Sequence, residues 1–222
     1  MNTNERFVIT ISRELGSGGH TVGQKLAEKL GVRFCDKEVI QGLVKEFNLT
    51  PTAIERMKGQ KKNWFADFVK YLSPGKRAAE FSPEDGIYGK EYNPDVTTDD
   101  IFLAEREILL GLAEESSCVI AGRIGFAVLK DHPNKANFFI TASREHRIER
   151  VMRKQGLDRA IAEEVIDEVD KGRSNYVKRY AGVDRYDARN YDLVIDMDNL
   201  TEDEAVDLIL KYINSAACGR HG

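Results

Sequence analysis

Between Arg13 and Thr21 the chain reads Arg13-Glu14-Leu15-Gly16-Ser17-Gly18-Gly19-His20-Thr21, and its chemistry is most legible there. Three glycines in four residues let neighbouring backbone N–H groups converge, and a following helix adds the positive end of its dipole. Phosphate suits such a concavity. The full phosphate-loop pattern is G-x-x-x-x-G-K-[ST]. Here Arg13 stands at its first glycine, Gly18 at its second, Gly19 at its lysine and His20 at its Ser/Thr. The plainer alternative is a glycine turn that only tightens strand-to-helix packing. Arg13 lies where folding asks for no arginine and can supply the charge of the absent lysine, or serve as a solvated loop residue.

Further candidates recur at the ends of apolar runs. Asp36 closes the run Val32 to Cys35, and Gly122-Arg123 closes Cys118 to Ala121. Arginine's planar fork suits phosphate better than lysine does. Arg147 and Arg150 lie three apart, so one helix face would carry both, unless they serve only as surface partners of Glu145 and Glu149. Asp170, Lys171 and Arg173 follow in a densely charged stretch, with Lys178, Arg179 and Arg185 beyond. Charge runs of that kind are usually solvated faces.

The elements that must position these residues follow from hydrophobic periodicity. Phe7 to Ser12, Val32 to Cys35, Cys118 to Ala121, Ala136 to Thr141 and Leu193 to Asp196 read as five short strands. Val22, Leu26, Ala27 and Leu30 recur at helical spacing until Gly31 stops them. Further helices are expected from Lys37 to about Phe47 and from about Ser143 to Lys154. A last one follows the capping box Thr201-x-x-Glu204, with Ala205, Val206, Ile209 and Ile213 on one face. Strands alternating with helices predict an α/β fold, a doubly wound five-stranded parallel sheet with helices on both faces. Ligands bind such sheets at the carboxyl ends of the strands, where Arg13, Asp36 and Gly122-Arg123 fall.

Residues 1–222 read as one domain with two interruptions. At about 48–100 a helical segment, Pro51 to Leu72 with Trp64, Phe65, Phe68 and Tyr71, precedes a Pro/Gly/Asp-rich loop from Ser73 to Asp99. A loop that long inside a compact domain reads as an insert, a lid or an oligomer contact. At about 158–191 the charged stretch predicts a helix and a mobile, lid-like arm. Hydrophobic residues at 41% and charged residues at 32% suit a soluble globular protein. A net charge of −4 offers no general attraction for nucleic acid or an anionic membrane. Cys35, Cys118 and Cys218 lack metal-ligand spacing; the first two read as core residues and the third as part of a loose tail. No apolar run approaches the ~20 residues of a membrane span, and a reducing cytoplasm is the expected location.

Taken together, the chain resembles the cytidylate kinase-like family of P-loop proteins from about Val8 to Ile213. The resemblance is carried by Ile11 to His20, Phe34 to Lys37, Val119 to Arg123, the Arg147 and Arg150 pair, Asp170 to Arg173, and Tyr191 to Asp196. It implies a P-loop kinase-like three-layer fold and transfer of a phosphoryl group from ATP, with Mg²⁺, to a small acceptor such as the nucleoside monophosphate CMP. Gly16, Ser17, Gly18, Gly19, His20 and Thr21 would hold the nucleotide, and Thr21 would meet Mg²⁺ unless it is an N-terminal cap. Asp36, Arg123, Arg150 and Asp170 would hold the acceptor, while Arg13, Arg147 and Arg173 would surround the transferring group. The family's aspartate after the arginine is Ile124 here, and its acceptor-side serine and arginine are Lys37 and Gly42. A nucleotide-binding module without catalysis, and an interaction protein forming a homodimer through the insert, are the competing readings.

Overall fold

The computed structural model describes residues 1–51, 53–54 and 95–218, so the aromatic segment around Trp64 and most of the loop after it lie outside the described residues. The chain runs β1 (Val8–Arg13), α1 (Gly19–Leu30), β2 (Arg33–Cys35) and α2 (Lys37–Phe47), then α3 (Thr98–Glu115), β3 (Cys118–Ala121) and a single-turn α4 (Gly125–Val128). It continues through β4 (Lys135–Thr141), α5 (Arg144–Gln155), α6 (Arg159–Ala181), β5 (Leu193–Asp196) and α7 (Glu202–Cys218). All four strand pairings are parallel, in the order β2-β3-β1-β4-β5.

Alternation along β1 shows why both faces need helices. Ile9 and Ile11 point to the layer of α1 and α7, packing with Val22, Leu26, Val206, Ile209 and Ile213. Val8 points the other way, with Cys35, Leu43, Leu109 and Ile120. These side chains are all buried, and burying each contributes roughly 1.5–3 kcal/mol. β1 is the hub of the fold. It pairs with β3 on one side and β4 on the other, so the chain changes direction across its carboxyl end and leaves a crevice there.

Helix ends follow local chemistry. Gly31 ends α1 in the left-handed region at φ +65°, and Thr201 and Glu204 exchange backbone and side-chain bonds at the start of α7. The structure departs from the sequence reading in three places. A helix, α3, begins at Thr98 inside the stretch read as loop. It is capped by Thr97 and Asp100 and buries Ile101, Ala104, Leu109 and Leu112. The charged stretch after Asp158 is one 23-residue helix, α6, and the segment after it packs back so far that Arg185 is only 3% exposed. Finally, α7 carries the backbone through Cys218, where a loose tail was expected. Among the described residues no helix is long and apolar enough to cross a membrane.

Candidate functional site

The turn between β1 and α1 is shaped by two left-handed glycines, Gly16 at φ +85° and Gly18 at φ +86°. Gly18 is the N-cap of α1, and no side chain caps the helix. Its first-turn N–H groups are therefore not taken up by a capping oxygen, which is the condition for an anion site at a helix start. The turn is held from behind. A Cβ on Gly16 would lie 2.5 Å from the Arg147 carbonyl oxygen, so α5 is packed directly against it. The Ser17 hydroxyl donates to the Glu14 carbonyl (3.0 Å) and is buried. The hydroxyl of the half-buried Thr21 forms no hydrogen bond among the described residues and caps nothing.

Arg13 ends β1 at the mouth of this turn. Its side chain does not fold over the loop; its guanidinium lies against Gly122 at the end of β3. Burial first, then the charge of Arg173, bring its pKa down to about 9; Asp36 pulls the other way, and Arg123 and Arg185 lower it by smaller amounts. It stays protonated at neutral pH. No hydrogen bond or ion pair within the described residues takes up its guanidinium. Its carbonyl, in contrast, accepts from both Arg173 (3.1 Å) and Arg185 (2.7 Å).

Asp170 organises the side of the turn facing α5 and α6. Its Oδ2 accepts from Arg147 at 2.7 Å, while its Oδ1 accepts from the Leu15 N–H at 3.1 Å and from Arg173 at 3.3 Å, with Arg185 at 3.5 Å. Thus the carboxylate grouped above with acceptor binding faces inward, joining α6 to the loop. Arg147 also faces inward, with Glu14 at 3.6 Å, and its buried Nε has no hydrogen-bond partner among the described residues. The suggested pairing with Glu145 is not formed, since Glu145 binds Arg159. Arg150, expected beside the acceptor, instead lies over Gly18 and donates to Glu202 at 2.7 Å.

The opposite side gathers around Asp36 and Arg123. His20 Nε2 lies 3.2 Å from Asp36 Oδ2, and Arg123 donates to Asp36 Oδ1 at 3.4 Å. Burial alone would raise the Asp36 pKa. The bond with His20 and the charges of Arg123 and Arg13 outweigh it and hold the carboxyl well below its ordinary range. Behind Arg123 stands Glu105 of α3, fully buried, 3.8 Å from the guanidinium and accepting from the Tyr176 hydroxyl at 2.8 Å. Gly122, Arg123 and Ile124 have successive positive φ values of 74°, 57° and 54°. For two non-glycine residues that conformation costs of order 1–3 kcal/mol each. Burial of Ile124 with Phe126, Tyr176 and Val177 returns roughly 2 kcal/mol of this, and the ion pairs of Arg123 hold the remainder in place. Ile124, the residue after Arg123, is thus a packing residue.

Sequence reasoning missed Glu105, Tyr176, Glu14 and Glu202, and it gave Arg185 little weight. Glu105 was legible only through the cap signal Thr97 to Asp100 that opens its helix. Among the described residues no group of three or more His, Cys, Asp or Glu is placed to hold a metal ion.

Comparison with known proteins agrees with this architecture. Residues 8–199 match the cytidylate kinase-like family. A cytidylate kinase of a Thermotoga species is 30% identical over 222 aligned positions, covering 93% of this chain and 96% of its own. One from Sulfurisphaera tokodaii is 30% identical over 148, covering 66% of this chain and 82% of its own. The crystal structure of an uncharacterized protein from Eubacterium ventriosum superposes with a TM-score of 0.64 at 27% identity, covering 94% of this chain and 99% of that one. The chain belongs to the cytidylate kinase-like family.

Proposed function

We propose that this member of the cytidylate kinase-like family is a phosphotransferase that moves the γ-phosphoryl group of ATP to a small acceptor, a nucleoside monophosphate such as CMP being the first class to test. The observation that carries the reading is Arg13. A protonated guanidinium with no hydrogen-bond partner among the described residues, crowded by Arg123, Arg173 and Arg185 beside an uncapped helix start, calls for a polyanion.

In this reading Gly16, Ser17, Gly18, Gly19, His20 and Thr21 cradle the triphosphate through backbone amides, with Arg150 over the loop. Arg13 and Arg173 face the transferring group, and Arg147 and Asp170 position the loop behind it. Arg123 and Asp36 meet the acceptor. The acceptor oxygen bonds to the γ-phosphorus as the bond to the bridging oxygen breaks, and ADP leaves. The protein's part is alignment and positive charge rather than covalent chemistry. The hydroxyl of Thr21, in the first turn of α1, would help hold a Mg²⁺ ion, which would supply positive charge against that developing on the phosphates.

The test is thermal denaturation with ATP and Mg²⁺, followed by ADP release across all nucleoside monophosphates and a panel of small hydroxylated metabolites. A melting shift with turnover supports the proposal. Binding without turnover favours a nucleotide-binding module, the reading that the buried Ile124 supports. No shift refutes both. A cytoplasmic location and a homodimer through residues 48–100 belong to the same proposal. Light scattering on wild type and on Trp64→Ser/Phe68→Ser decides the dimer, and a wild type that stays monomeric at high concentration removes it.

A further inference from the structure

Arg13 reaches its position by passing between two glycines from other elements. A Cβ on Gly19 would lie 2.6 Å from the Arg13 Cβ and 3.0 Å from the Ile140 Cβ. A Cβ on Gly122 would lie 2.0 Å from Arg13 Nη1. The two contacts differ in kind. At Gly122 the neighbour is the far end of a flexible side chain, which could swing away. At Gly19 it is the Cβ of the next element, which moves only with its backbone. That backbone is fixed, because the Arg13 carbonyl accepts from Arg173 and Arg185. Gly19 is itself an ordinary first residue of α1, outside the left-handed glycines of the turn. Its backbone does not require glycine; the Cβ that any residue but glycine carries at position 13, together with the Ile140 Cβ, does.

We infer that Arg13 and Gly19 are a reciprocal exchange. The phosphate-loop cation has moved from the first helical position to the end of β1, and Gly19 and Gly122 are positioning residues whose missing side chains make room for it. The inference rests on the phosphate-loop reading above and extends it. It explains why a lysine is absent where the loop pattern has one: with Arg13 present, no side chain fits at 19. It also gives the cation a different approach. An arginine from β1 arrives beside Arg123, between the loop and the acceptor side, with a fork able to engage two phosphate oxygens.

A double-variant cycle tests this. In urea denaturation without ligand, Gly19→Ala should lower the folding equilibrium constant of the otherwise wild-type chain by roughly tenfold or more, the scale of overpacking a filled site. In the Arg13→Gly background it should cost far less, since only the Ile140 contact remains. In the second arm, thermal denaturation and ADP release are read with ATP and Mg²⁺. Arg13→Gly should lose most of the response, Gly19→Lys should lose it through the clash, and Arg13→Gly/Gly19→Lys should recover a substantial part. Equal stability costs in the two backgrounds, or a double variant no better than Arg13→Gly, overturn the exchange. A wild type that ignores ATP overturns the phosphate reading and the exchange with it. That result is recognisable because the stability coupling would persist.

Discussion

Asp170→Asn replaces a carboxylate by an amide of nearly the same shape, and the geometry around it sets the size of the effect. The wild-type carboxylate faces three guanidinium groups at 2.7, 3.3 and 3.5 Å and one backbone N–H at 3.1 Å. Asparagine keeps one oxygen for the Leu15 N–H but brings its NH₂ against Arg147, donor to donor. Removing one partner of a buried ion pair costs 3–5 kcal/mol, and the low end applies here because Arg173 retains some access to water. A loss of ~3 kcal/mol in a chain of this length corresponds to a fall of about 6–12 °C in Tm. The assay is thermal denaturation in buffer free of phosphate and sulfate. Added sulfate should then stabilise the variant more than the wild type, because the anion substitutes for the charge removed. A Tm within about 2 °C of wild type would refute the view that Asp170 holds the loop together with Arg147, Arg173 and Arg185.

Three further outcomes follow from the same geometry. Gly16→Ala sets a Cβ against the Arg147 carbonyl oxygen at a φ of +85°, so urea denaturation should show a loss of about 3 kcal/mol; an unchanged midpoint would mean that α5 does not brace the loop. Arg13→Ala should lower kcat by ~10²–10³ with the acceptor found by screening, more than it weakens ATP binding, and Arg13→Lys should restore only part. Full kcat in Arg13→Ala would pass the role to Arg173. Asp36 has a folded pKa below its ordinary 3.8, so its stabilising share is complete above that value and lost as the pH falls through the lower folded one. The stability difference between wild type and Asp36→Asn, open at neutral pH, should therefore narrow below pH about 4, and a difference that stays constant down to pH about 2 contradicts the assignment.

The sheet was legible because each strand is a short, largely apolar run punctuated by glycine or a charged residue, with β1, β3 and β4 buried on both faces. Helix α3 was hidden for a local reason. Its approach is rich in Pro, Gly and Asp, and its exposed Leu103 blurs the apolar stripe. The cap signal Thr97 to Asp100 was the one clear mark of its start. Side-chain partners were harder still. Arg147 has Glu145 and Glu149 close in sequence, yet it pairs with Asp170, 23 residues away, because α5 and α6 pack against one another around Leu15, Ile148 and Ile166. No local pattern encodes that pairing. Glu105 is similar: a glutamate beside Arg106 and Glu107 in a helix reads as solvated until the fold closes Arg123 and Tyr176 over it.

Those hidden carboxylates explain how so many arginines can be held at one crevice. Asp170 gathers Arg147, Arg173 and Arg185; Asp36 and Glu105 hold Arg123; Glu202 holds Arg150. Each pair offsets the desolvation of its guanidinium before any ligand arrives, and each fixes the direction of a fork that would otherwise have several rotamers to lose. Arg13 is held differently, by steric confinement between Gly19 and Gly122 with no carboxylate in hydrogen-bond reach among the described residues. An incoming phosphate therefore competes with a protein carboxylate at every other arginine, but not at Arg13. If the proposed function holds, the largest gain on binding is expected where the charge is least compensated, at the junction of β1, α1 and β3.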